Sequence, residues 1–106
     1  MDRRPYVVSP EADADMDAIS DSIAERSVDV AIDFYTACRE HFELIADLPG
    51  IGTARSTHDP LLRGLRSVPM KRFSSHVIFF LPREDDVLIV RILHGARDLG
   101  FIVKDA

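Results

Sequence analysis

The side chains able to do chemistry are concentrated in the second half of the chain: Arg66, Lys71, Arg72, His76, Arg91, His94 and Arg97. Arginines and lysines beside a histidine are what phosphoryl transfer requires. The cations hold the phosphate and stabilise the charge of the transition state, and a group titrating near neutrality moves the proton. His76 or His94 with Arg66, Arg72 and Arg97 is the set from which a ribonuclease could be built. Each residue also has a plainer use. His76 lies among neighbours that belong in a core, and His94 stands at a strand end. Arg91 sits inside an apolar run, where a cation needs an acid from a helix or from a partner. Cys38 falls in the middle of a helical apolar stripe and reads as a small buried hydrophobe, with no base near it in a recognisable pattern. Cys38, His41, His58, His76 and His94 lack ligand-like spacing, so neither a metal nor a cofactor is expected.

Charge narrows the choice of partner. The net charge is −5, which argues against a general nucleic-acid binder. The average hides an asymmetry: residues 1–54 carry 4 basic and 12 acidic side chains, whereas residues 55–106 carry 9 basic and 6 acidic. No acid occurs between Asp59 and Glu84, a stretch holding Arg63, Arg66, Lys71, Arg72 and Arg83. Those cations are enough to form a local positive face for a phosphate backbone or an acidic partner, or they are the solvated charges that protect a strand edge.

A chain of 106 residues is read as one domain, residues 1–106, able to fold without disulfides. The single cysteine points to a reducing cytoplasm, the N-terminus Met1-Asp2-Arg3-Arg4-Pro5 lacks a signal-peptide core, and no run is long enough to cross a bilayer.

The elements follow from local pattern. Tyr6-Val7-Val8 is a short strand. Ser9-Pro10-Glu11 starts a helix with a capping hydroxyl, a proline at the first helical position and acids near the positive end of the dipole. Ala12, Met16, Ile19 and Ile23 give that helix one apolar side. Ser27 caps a second helix whose stripe is Ala31, Phe34, Tyr35, Cys38, Phe42 and Ile45, stopped by Leu48-Pro49-Gly50-Ile51-Gly52. Residues 53–63 read as loop. Leu65–Pro69 is a short edge strand, Phe73–Leu81 a long one, Asp85-Asp86 a hairpin tip, and Val87–Leu93 the returning strand. The expected class is α+β, in the order β-α-α-β-β-β: an antiparallel sheet with an N-terminal helical hairpin packed on one face.

Both long strands are apolar on both faces. If the helices cover one face, the other presents Ile78 and Phe80, or their opposite set, to a partner. Three other outcomes are open: the tail Leu99–Val103 folds over that face, the sheet curls, or the protein pairs with itself.

Four stretches resemble a known family, in the right order and over about residues 5–100. They are Ser9-Pro10-Glu11-Ala12, Phe42-Glu43-Leu44-Ile45-Ala46-Asp47-Leu48-Pro49-Gly50-Ile51-Gly52, Gly64-Leu65-Arg66-Ser67-Val68-Pro69 and Arg91-Ile92-Leu93-His94-Gly95-Ala96-Arg97-Asp98. Together they are similar to the RelE/ParE toxin superfamily, and to ParE-type toxins in particular. The resemblance implies a toxin neutralised by a cognate ParD-like antitoxin, which has a ribbon-helix-helix DNA-binding part and a toxin-wrapping part. The complex would be hetero-oligomeric and would meet DNA only through the antitoxin. ParE-type members are associated with blocking DNA gyrase, and RelE-type members cut messenger RNA on the ribosome.

Compared with RelE-type sites, this chain keeps a cation at Arg97 and Arg66. The second strand lysine is replaced by Val68, the central-strand arginine by His76, and no tyrosine stands near the C-terminus, where Phe101 is the nearest aromatic. The expectation is therefore a non-enzymatic gyrase-directed toxin. The alternatives are a ribosome-dependent mRNA endonuclease using Arg97, His76 and Arg66, and a non-toxic binding module or corepressor. Antitoxin contacts are expected at Ile78, Phe80, Arg91, Arg97 and Asp98, and target contacts at Arg66, Lys71 and Arg72.

Overall fold

The computed structural model describes residues 5–95. The readings placed on Arg97, Asp98, Phe101 and the tail Leu99–Val103 lie outside the described residues. Strand β1 (Tyr6–Val8) leads into helix α1 (Pro10–Ala24) and then α2 (Val28–Asp47). A two-residue strand β2 (Thr53–Ala54), a 3-10 turn at Pro60–Leu62, β3 (Arg66–Pro69), β4 (His76–Pro82) and β5 (Val87–His94) follow. The five strands form one sheet in the order β1-β5-β4-β3-β2, with β1 parallel to β5 and the other neighbours antiparallel.

Both helices begin where their caps dictate. Ser9 accepts a hydrogen bond from the amide of Ala12 and Ser27 from that of Val30, each satisfying a donor that the first turn leaves open. Pro10 occupies the first turn of α1, where its missing N–H costs nothing.

The sheet differs from the expected one in two ways. It is mixed rather than antiparallel, because the N-terminal strand lies parallel to β5, a pairing between strands some 80 residues apart that no local periodicity encodes. Thr53–Ala54, read as loop, is an edge strand held on β3. Its approach depends on Gly52, whose φ is +80° and where a Cβ would fall 2.1 Å from the Ser67 carbonyl oxygen.

A register shift between Phe79 and Phe80 inserts Val90 into β5 as an extra residue. Ile78 and Phe80 of β4 therefore share their face with Ile92, Ile89 and Val87 of β5, and this face packs on Ala12, Met16, Phe34, Cys38, Phe42 and Ile45 of the helices. Ile78 and Phe80 are fully buried, so they belong to the helix-packed core and are not partner contacts. Most of the opposite set is also buried, with Val77 and Leu88 only partly so. Phe79, Leu81, Val90 and Leu93 are buried with Leu65, and Leu62 packs beside them from the 3-10 turn.

Helix α1 also takes over an edge of the sheet. Strand β1 stops pairing at Ile89, and among the described residues the rest of that side of β5 has no strand neighbour. Ser9 fills part of the gap by donating its amide to the Ile89 carbonyl and its hydroxyl to that of Val90. Further on, the Asp15 carboxylate accepts from the amide of Ile92.

Candidate functional site

Among the described residues, Arg66 and His76, two members of the candidate nuclease set, do not converge. Arg66 points its guanidinium at the turn after α2: Nε donates to the Ile51 carbonyl at 2.9 Å, and one terminal nitrogen donates to those of Gly50 and Gly52 at 2.8 and 3.0 Å. A fork holding three carbonyls pins the segment leading into β2. Arg66 pairs with Phe80, and His76 lies four residues back along β4, roughly 13 Å away at strand rise. Arg72 forms an ion pair with Asp33 of α2 at 3.0 Å and lies over the ring of Phe73 at 5.4 Å. Of the three expected target contacts, only the Lys71 side chain is exposed without a partner among the described residues; its backbone amide is tied to His41 of α2.

Arg91 is matched within the chain. It forms a bidentate pair with Asp15, Nε to Oδ2 at 2.7 Å and a terminal nitrogen to Oδ1 at 2.9 Å. This is the helix acid that an arginine in an apolar strand calls for. Asp15 itself carries no signal in the sequence that separates it from Asp13 and Asp17 beside it.

His76 and His94 face each other across β4 and β5, with ring centroids 5.5 Å apart and planes at 85°. His76 also packs edge-on against Phe34. The pair lines an open cleft of about 540 Å³ whose other wall is α1, at Ala18, Ile19, Ser22 and Ile23. Among the described residues, no three His, Cys, Asp or Glu side chains come together as a metal site, and no helix is long and apolar enough to cross a membrane. Cys38 is buried, and burial pushes its thiol up to about 12, so it carries no thiolate at neutral pH.

The exposed apolar side chains lie elsewhere. Val28 and Ile32 sit one turn apart at the start of α2, 63% and 58% exposed, and Leu44 and Leu48 sit one turn apart at its end. Periodicity placed the stripe of α2 on the core and left these positions uninterpreted. A four-residue spacing of large aliphatics on an otherwise acidic helix was the available signal.

A family model described as "ParE toxin of type II toxin-antitoxin system, parDE" matches residues 6–99. No curated protein matches the chain. Among solved structures, a chain of the chromosomal ParDE TA system from P. aeruginosa superposes with a TM-score of 0.69 at 20% sequence identity, covering 87% of this chain and 96% of that one. At that identity the likeness is one of fold.

Proposed function

Because the chain belongs to the ParE toxin family of type II toxin-antitoxin systems, we propose that it is a non-enzymatic toxin that inhibits DNA gyrase when free and is neutralised by direct binding of a ParD-like antitoxin. The observation that carries the non-enzymatic part is the use of Arg66. The one strand cation retained from the nuclease pattern is held on the carbonyls of Gly50, Ile51 and Gly52, distant along the sheet from His76. That separation keeps Arg66 and His76 from acting on one phosphoryl group, which supports the non-enzymatic reading.

The antitoxin segment is expected to bury roughly 2,000 Å² in total, mainly apolar, as permanent complexes do. Its docking surface is assigned to the exposed pair Val28–Ile32 at the start of α2 in place of Ile78 and Phe80. Such a segment laid on a helix face is an established mode of peptide recognition. An antitoxin of the ribbon-helix-helix type would link the complex to operator DNA.

The His76–His94 cleft favours the second reading, a ribosome-dependent mRNA endonuclease. A translating extract separates the two. The purified toxin should leave messenger RNA intact at stoichiometric ribosome occupancy. Codon-positioned cuts that vanish in His76→Ala would replace the gyrase reading with the nuclease one.

A further inference from the structure

The loop between β2 and β3 encloses an open cavity of about 290 Å³, lined among others by Arg55, Thr57, His58, Asp59, Arg63 and Gly64. We propose that this cavity is a phosphate-binding pocket for a single phosphate group, carried on a nucleic-acid backbone or as the free anion. This goes beyond the gyrase reading and does not depend on it.

Three observations support the assignment. First, the pocket brings together two arginines that make no ion pair among the described residues, in a chain with 18 acidic side chains against 13 basic ones. Acids were plentiful, and the fold keeps most of them on the helices. Second, Arg55 is oriented in advance. Its Nε donates to the Ser67 hydroxyl at 2.7 Å, so the side chain is fixed while its two terminal nitrogens remain for a ligand. A guanidinium fork held this way suits a phosphate, which takes two parallel N–H bonds. Third, the one carboxylate in the pocket, Asp59, is turned to the backbone, accepting from the amide of Leu61. The pocket keeps a net positive charge from Arg55 and Arg63 over Asp59.

The pocket also lies in the cationic half of the molecule. With the acids on α1 and α2, an approaching anion is steered toward the loop and away from the helices. Arg63 is exposed and bonds to nothing else described, so it can swing onto a ligand that Arg55 holds.

The test uses the whole protein, a short DNA duplex, inorganic phosphate and an oligoglutamate peptide of the same charge as the duplex. Fluorescence anisotropy should show the duplex binding with an affinity on the order of 10⁻⁵ M at low salt, and a slope of log K against log salt of about −0.9, as one phosphate contact gives. Inorganic phosphate should compete and should shift the amide resonances of residues 55–64. Arg63→Gln should weaken binding about fivefold or more and bring the slope closer to zero. Arg63→Glu should abolish binding, and neither change should alter the thermal midpoint, because the Arg63 side chain makes no other bond among the described residues. Phosphate shifting the loop without the duplex binding assigns the pocket to the free anion. The proposal is overturned if neither ligand perturbs residues 55–64, if the Arg63 variants bind like the parent, or if oligoglutamate binds as tightly as the duplex.

Discussion

Asp15 shows most clearly how one side chain closes the structure. It neutralises Arg91 through two hydrogen bonds and takes the Ile92 amide that β1 is too short to reach, with only 14% of its side chain exposed. Asp15→Ala strands a half-buried guanidinium and a backbone donor together, so it should cost about 2–4 kcal/mol in urea denaturation. Asp21→Ala on the exposed side of the same helix should stay within about 0.5 kcal/mol. A second residue-scale expectation concerns pH. Tyr35 donates its hydroxyl to Asp17, and that bond, then burial, then the Asp17 charge raise its pKa above the ordinary 10.0. The folded state thus holds the proton more tightly than the unfolded chain. The contribution is complete below pH 10 and is lost as pH rises through the raised folded value. The stability difference between the parent and Tyr35→Phe should therefore be constant from neutral pH up to 10.0 and shrink beyond it. A difference that stayed flat through the titration of the phenol would contradict the shift. At this scale, the need of Arg91 for an acid and the burial of Cys38 were legible from the sequence. Which of four nearby aspartates served Arg91 was not, because the choice depends on where β1 ends.

Among the elements, the segment Gly50–Ala54 depends on sequence most sharply. Gly52 combines a positive φ with a Cβ position 2.1 Å from the Ser67 carbonyl oxygen, whereas a Cβ at Gly50 meets nothing within 4 Å. Gly52→Ala should displace β2 from β3 and cost more than about 2 kcal/mol, while Gly50→Ala should be near neutral. Equal midpoints for the two variants would show that β2 does not depend on that approach. The two helices, β3 and the β4–β5 hairpin were readable because caps, stripes and turn residues act locally. The parallel pairing of β1 and the two-residue β2 were not readable, since both depend on contacts between distant segments. The bulge at Val90 explains another limit. Strict alternation cannot show which residues of β5 face the helices once an extra residue reverses the phase. The expectation that Ile78 and Phe80 face a partner failed for a related reason: alternation told their set from the opposite one but did not say which set the helices cover.

At the scale of the whole molecule, most acids lie on the helices, Arg55 and Arg63 meet on the β2–β3 loop, and Val28 and Ile32 are exposed at the start of α2. Val28 and Ile32 are more than half exposed, so Val28→Asp and Ile32→Asp should keep the parent thermal midpoint. If α2 carries the antitoxin, each should weaken its binding at least about tenfold, because a charge buried at an interface lacks a partner. Calorimetric titration of the antitoxin decides this, and unchanged affinities in both variants would move the interface off α2. The ParE fold was legible as a resemblance and as an element order. The partner surface was not, because it consists of what the core leaves over. The central claim is tested most directly by plasmid supercoiling with purified gyrase, toxin and antitoxin. The account predicts that inhibition rises to completion as toxin approaches gyrase in stoichiometric amount, and that one equivalent of antitoxin restores supercoiling. Supercoiling that continues unchanged in a large molar excess of antitoxin-free toxin would contradict it.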